Sequence, residues 1–230
     1  MKKLFVFLLF LIGQLSVFAQ SSVDPALAYN KYLVLNEGNT FTKVGAYKVI
    51  GSPYLLGKNH PGDVYSKSET GTGLYLSYNI YNQEIEFSAS REQSPLIKEA
   101  GTLDSFIIKR DSLVKEDSKF IYGTLIGAND KSYYQLISTG KAYNLYKKYR
   151  AELGIVSSNY IQAELRQFDL HYDYYYLDVK TKNLKKLKTN SNALKKEFSQ
   201  YKDISSVIGQ YQNSLNSDMA LKKLFEFLNQ

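Results

Sequence analysis

Phe120-Ile121-Tyr122-Gly123-Thr124-Leu125-Ile126, Tyr133-Tyr134-Gln135-Leu136-Ile137 and Ala142-Tyr143-Asn144-Leu145-Tyr146 are three short runs of aromatic and β-branched residues. Turn residues separate them: Gly127-Ala128-Asn129-Asp130 after the first and Ser138-Thr139-Gly140 after the second. Rings and branched side chains suit a pleated, half-buried surface, whereas Gly, Asn and Asp tolerate the dihedrals of tight turns. Strand, turn and strand at such short spacing predict an antiparallel meander. The same texture extends on both sides, from about Phe41 to about Lys188. Further turn clusters lie at Gly51-Ser52-Pro53, at Lys58-Asn59-His60-Pro61-Gly62, from Ser68 to Gly73 and at Thr181-Lys182-Asn183. No helix-period segment alternates with the strands, which argues against a parallel α/β sheet.

After Lys188 the apolar spacing changes from two to three and four. Leu194, Phe198 and Tyr201 form one stripe. Ile204, Val207, Ile208, Tyr211 and Leu215 form a second, with Asp203 at the N-cap position. Leu221, Leu224, Phe225 and Leu228 form a third, with Ser217 as its cap. Amphipathic helices this short need a surface on which to bury their apolar faces. The expected fold is therefore α+β: an antiparallel β-meander, as a sandwich or partial barrel, with short C-terminal amphipathic helices packed on it. Strands are expected over about 41–188 and helices over about 192–229. Ser22 to Glu37 reads as a lead-in with little regular structure.

The N-terminus has the organisation of a secretory signal. Lys2 and Lys3 precede an apolar run from Leu4 to Ile12, and Val17-Phe18-Ala19 offers a cleavage point after Ala19. Residues 1–19 are thus expected to be a signal peptide and 20–230 a single β-rich domain, exported to the periplasm or the extracellular space. No later stretch reaches the 18 or so apolar residues that a membrane helix needs, so no transmembrane segment is expected after cleavage. The chain has no cysteine. This excludes thiol catalysis, thiolate metal sites, disulfides and a lipid-bearing cysteine after the leader.

The 230 residues carry 29 basic and 22 acidic side chains, for a formal charge of +7. The excess lies at the C-terminus. From Lys180 onward ten lysines stand against Glu197, Asp203, Asp218 and Glu226, with Lys180, Lys182, Lys185, Lys186 and Lys188 the densest group. Without arginine for bidentate phosphate contacts, this cluster does not point to nucleic acid. It reads as a solvated face.

Motifs of chemistry are sparse. There is no Gly-x-Ser-x-Gly elbow and no phosphate loop, and no cofactor is implied. Gly71-Thr72-Gly73 reads as a hairpin tip. His60 lies in turn sequence. Asp169, His171 and Asp173 alternate, so on a strand they share one face, a carboxylate–imidazole–carboxylate set that a divalent metal accepts. The same alternation describes the wet side of a half-buried strand, and that is the preferred reading. Glu84 and Glu86 likewise share a face. The compositional excess is tyrosine, 21 with 12 Phe and no Trp. Tyr172, Tyr174 and Tyr176, on the face opposite His171, are candidates for stacking on a sugar or peptide.

Gly51-Ser52-Pro53-Tyr54-Leu55, Gly62-Asp63-Val64-Tyr65 and Leu76-Ser77-Tyr78-Asn79-Ile80-Tyr81-Asn82-Gln83-Glu84-Ile85-Glu86-Phe87, with Tyr174-Tyr175-Tyr176-Leu177 and Leu184-Lys185-Lys186-Leu187 before lysine-rich helices, resemble a group of small exported bacterial proteins of unknown function. The resemblance implies export and a strand-rich body, and no catalytic residues. The functional expectation is an exported, non-enzymatic binding or envelope-associated protein, with another envelope protein or a glycan as partner. The alternative is a carbohydrate- or peptide-binding module, or a hydrolase, that uses the tyrosine-rich face.

Overall fold

The computed structural model describes residues 48–157, 165–200 and 203–230. The proposed leader, the Ser22–Glu37 lead-in, positions 41–47 and Tyr201 lie outside the described residues. Strands β1 to β11 are Lys48–Ile50, Tyr54–Tyr65, Thr70–Asn79, Glu84–Ser88, Leu96–Lys98, Ser105–Ile108, Ser118–Tyr122, Tyr133–Ser138, Tyr143–Ser157, Leu165–Asp178 and Asn183–Leu187. Helices α1, α2 and α3 follow at Ser191–Phe198, Ser205–Gln210 and Asp218–Leu228. The chain divides into two compact units, Ile50–Gly154 with Gln167–Gln230, and Met1–Val49 with Ile155–Arg166. Described parts of the smaller unit are the start of β1, the end of β9 and the start of β10. Among the described residues no helix is long and apolar enough to cross a membrane.

Strand order in the larger unit is β10-β9-β8-β7-β6-β2-β3-β4-β5, with β11 also paired to β10. The sheet is thus two meanders joined back to back. The first runs β2 to β5; the chain then returns to lay β6 beside β2, and the second meander runs on to β11. Registers from β4·β5 round to β8·β9, and that of β10·β11, are antiparallel. Beyond β3, the hairpin comes back against β9. The Ala151 N–H donates to the Ile80 carbonyl at 3.4 Å, and Gln83 Nε2 donates to the Tyr149 carbonyl at 3.2 Å. Strands several places apart in the sheet therefore touch, and the sheet is strongly curled.

Inside the curl, period-two alternation puts Phe106, Phe120, Tyr78 and Tyr133 together, all fully buried. Phe106 and Phe120 stack at 4.7 Å between centroids, and Tyr78 meets both rings edge-on at 5.2 and 5.4 Å. The phenols are satisfied. Tyr78 donates to Gln83 Oε1 at 2.5 Å and Tyr133 to the Leu103 carbonyl at 3.1 Å, as buried tyrosines require.

The helices cover the same face of β9 to β11. Leu194, Phe198, Ile208, Leu221, Leu224, Phe225 and Leu228 join Tyr143, Leu145, Tyr174, Tyr176 and Leu187 in one buried cluster. Each fully buried side chain of this size contributes about 1.5–3 kcal/mol, which is what holds helices of six to eleven residues in place. The Asn190 side chain caps α1 by accepting from the Ala193 N–H, and Ser217 caps α3 through the Ala220 N–H. The C-terminal helix ends in a clamp. Asn229 Oδ1 accepts from the N–H groups of Ala142 and Tyr143, and its Nδ2 donates to the carbonyls of Tyr143 and Phe225.

Four local expectations need correction. Gly123–Ile126 is a 3-10 turn closed by Gly127 in the left-handed region, so the expected 120–126 strand stops at Tyr122. Lys58-Asn59-His60-Pro61-Gly62 lies within β2, where its turn-forming residues make a bulge. Leu56, Gly57 and Asn59 all have positive φ, and the register with β3 jumps between Leu55 and His60. Gly71–Gly73 is inside β3; the hairpin tip is earlier, where the Ser66 N–H donates to the Glu69 carbonyl. Helix α2 ends at Gln210, so Leu215 is buried from a turn rather than a helix, and Ile204, not Asp203, occupies its N-cap. Asp203 still accepts from the Ser205 N–H.

Candidate functional site

The open part of the concave face, beyond the reach of α1 and α2, forms a cavity of about 820 Å³. Its walls come from the β2 bulge, the 109–117 loop, inward positions of β7, β8 and β9, and the outer side of α3. The bulge supplies Leu55, which is buried, and Leu56, which is exposed. The loop is built around Asp111, whose Oδ1 accepts from the N–H groups of Leu113 and Val114 at 2.8 Å each. That turn sends Val114 into the wall and leaves Leu113 68% exposed at the rim. On α3, Met219 is 63% exposed on the same rim.

One buried contact joins bulge to loop. His60 is 1% exposed, with Nδ1 at 2.8 Å from Asp111 Oδ2 and Nε2 at 2.8 Å from the Leu56 carbonyl. The histidine, its hydrogen bond foremost, and then the loop amides pull the Asp111 carboxyl down to about 2. Both walls of the mouth are thereby held at a fixed separation.

The polar groups on the strand floor of the cavity are neutral, whereas the loop brings Lys115, Glu116 and Asp117 to its lining and α3 a further four charged side chains. Tyr149 donates its hydroxyl to Gln135 Oε1 at 2.9 Å, and Gln135 Nε2 donates to Ser118 Oγ at 3.0 Å. This row runs from β9 through β8 to β7, next to Phe120 and Ile137. Burial, assisted by the Asp218 carboxylate, pushes the Tyr149 phenol well up, so it stays protonated and able to donate. The charges beside the row are already matched. Lys147 is buried, pairs with Asp218 Oδ1 at 3.0 Å and lies over the rings of Tyr149, Tyr172 and Tyr174 at 5.0, 4.1 and 5.3 Å. Tyr174 also donates to Asp218.

The residues singled out from sequence lie elsewhere, on β10. Asp173 is engaged by Arg150 at 2.8 Å and Lys186 at 2.9 Å. His171 Nε2 lies 3.8 Å from Glu152, and Asp169 accepts from Gln167. Among the described residues no three His, Asp or Glu side chains gather as a metal site. Tyr174 and Tyr176 are buried in the helix-facing core, with their hydroxyls on Asp218 and Glu197. Tyr172 alone of the three is exposed. Glu86 accepts from Tyr54 and pairs with Lys58.

Sequence reading passed over Ser118, Gln135 and Tyr149. A signal existed: Gln135 falls between Tyr133 and Ile137 on the inward side of β8, a polar break in an apolar row. No family model matches the chain, and comparison with curated proteins and with solved structures finds no match.

Proposed function

We propose that this is an exported, non-enzymatic binding protein, a partial barrel whose open end is a ligand site. The observation that carries this reading is the cavity itself. Its volume of about 820 Å³ lies in the range of small-molecule sites, and its lining sets Leu55, Val114, Phe120 and Ile137 beside a polar row, with charged side chains from the loop and α3 around them. On the strand floor the polar groups are an amide, a phenol and a hydroxyl, which recognise rather than activate, and the charged side chains of the lining come from the loop and α3. The nearest imidazole, His60, is buried with each ring nitrogen 2.8 Å from an oxygen of Asp111 or Leu56. Export is supported by the lysine-led apolar leader and by the resemblance to small exported bacterial proteins; partial closure is supported by the contacts of Ile80 and Gln83 with β9. A glycan or peptide platform on the tyrosine-rich strand is less well supported, because burial removes Tyr174 and Tyr176 from it.

Native mass spectrometry of the protein purified from the cell-envelope fraction tests the proposal. A bound species of a few hundred daltons, released on unfolding, is the expected result. A protein that emerges bare, and that also takes up none of a panel of small amphiphiles, contradicts it.

A further inference from the structure

Resting on the cavity as the binding site, its chemistry narrows the ligand. Buried and exposed sides differ in kind. Inside, beside Leu55, Val114 and Phe120, stands the Tyr149–Gln135–Ser118 row. Tyr149 spends its proton on Gln135, and Gln135 spends one N–H on Ser118. Among the described residues this leaves the second Gln135 N–H and the lone pairs of the Tyr149 oxygen, a donor and an acceptor side by side, the complement of a hydroxyl or of a hydroxyl next to a carbonyl. At the rim Leu56, Leu113 and Met219, from three separate elements, are 44%, 68% and 63% exposed among the charged side chains of the loop and α3. Three large apolar side chains open to solvent around one mouth are a place for a chain to lie.

Charge decides between a neutral and an ionic head. Lys147 is neutralised by Asp218 and Lys223 by Glu226, at 3.0 and 2.7 Å. What remains at the rim is Lys115 and Lys222 against Glu116 and Asp117, all exposed and of balanced sign. An ionic head carried in to the Gln135 row would lose its hydration and find no unmatched counter-charge there. We infer that the cavity takes an uncharged single-chain amphiphile, its hydroxyl-bearing head against Gln135 and Tyr149 and its apolar tail leaving across Leu56, Leu113 and Met219.

Titration calorimetry of the mature protein with 1-monodecanoylglycerol and with decanoate, which share a chain length and differ in head charge, tests this. The glyceride is expected to bind at least about tenfold more tightly than the carboxylate. Gln135→Met and Tyr149→Phe, which keep side-chain volume, are expected each to weaken glyceride binding about tenfold, with melting temperature held as the control for folding. Equal binding of the two amphiphiles, or tighter binding of decanoate, overturns the neutral-head assignment while leaving the cavity a binding site. Glyceride binding unchanged in both variants overturns the placement of the head. If neither amphiphile binds, this inference fails together with the reading of the cavity on which it rests.

Discussion

His60 and Asp111, 51 positions apart in sequence, meet at 2.8 Å and tie the β2 bulge to the loop across the cavity mouth. On the other side of the ring Nε2 lies 2.8 Å from the Leu56 carbonyl, so each ring nitrogen of this buried side chain faces an oxygen. Asp111 itself holds the amides of Leu113 and Val114, so the pair sets the position of two rim residues at once.

The acid limb of stability follows from this pair. Asp111 has its carboxyl depressed from 3.8 to about 2, so its contribution is fully present above the ordinary carboxylate value and is lost as pH falls through that interval. Asp111→Asn is expected to cost about 2 kcal/mol at neutral pH, and to flatten the fall in melting temperature between pH 4 and pH 2. Thermal unfolding of both proteins across that range checks it; parallel pH profiles would remove the pair from the account.

Gly140 and Asn229 form a second long-range lock. A Cβ at Gly140 would stand 2.0–2.2 Å from the Asn229 amide group, which is fixed by four hydrogen bonds to the β8–β9 turn and to α3. Asn229→Ala is expected to cost about 2–3 kcal/mol, since it leaves the amides of Ala142 and Tyr143 without their acceptor. Gly140→Ala should cost a similar amount, because the new methyl evicts the same group. The double variant should cost clearly less than the two single effects together. Urea unfolding of the four proteins measures the cycle, and additivity would contradict the lock.

Lys147 is buried with Asp218 as its counter-charge, whereas Asp218 is half exposed. Removal of the acid is therefore worse than removal of both. Asp218→Ala should destabilise by about 3 kcal/mol, and the addition of Lys147→Met should recover most of that loss. A double variant no more stable than Asp218→Ala would show that the charge is solvated rather than buried.

Of the architecture, the meander texture and the helical tail were legible in residue spacing, because alternation by two and stripes at three and four report directly which face is buried. Leu194 and Phe198, and Leu221, Leu224, Phe225 and Leu228, are buried where their stripes place them, and Ser217 is the cap. What spacing does not carry is where a turn-forming residue is used. Asn59 and Gly57 mark positive φ equally well in a loop or in a bulge, and it is the pairing with β3 that makes them a bulge. The return of β6 to β2 is a long-range choice with no local signature. The cavity was illegible for the same reason: Gln135 and Tyr149 become a site only once β8, β9 and α3 enclose them. His171 drew notice because it alternates with Asp169 and Asp173, yet it lies on the outer side of β10.

The proposed leader makes its own prediction. Expressed with its native N-terminus in a bacterium with a general export pathway, the mature protein should begin at Gln20. Intact mass measurement reads this directly, and a cytoplasmic chain that keeps Met1–Ala19 would contradict export.

The most direct test of the account is to ask where a bound amphiphile lies. A monoacylglycerol with a photoreactive diazirine in its chain, irradiated with the mature protein and mapped by peptide mass spectrometry, should label the 111–117 loop and the Asp218–Glu226 side of α3. Label concentrated instead on the β10 strand around Tyr172, with the loop and α3 untouched, would place the ligand outside the cavity and contradict the central claim.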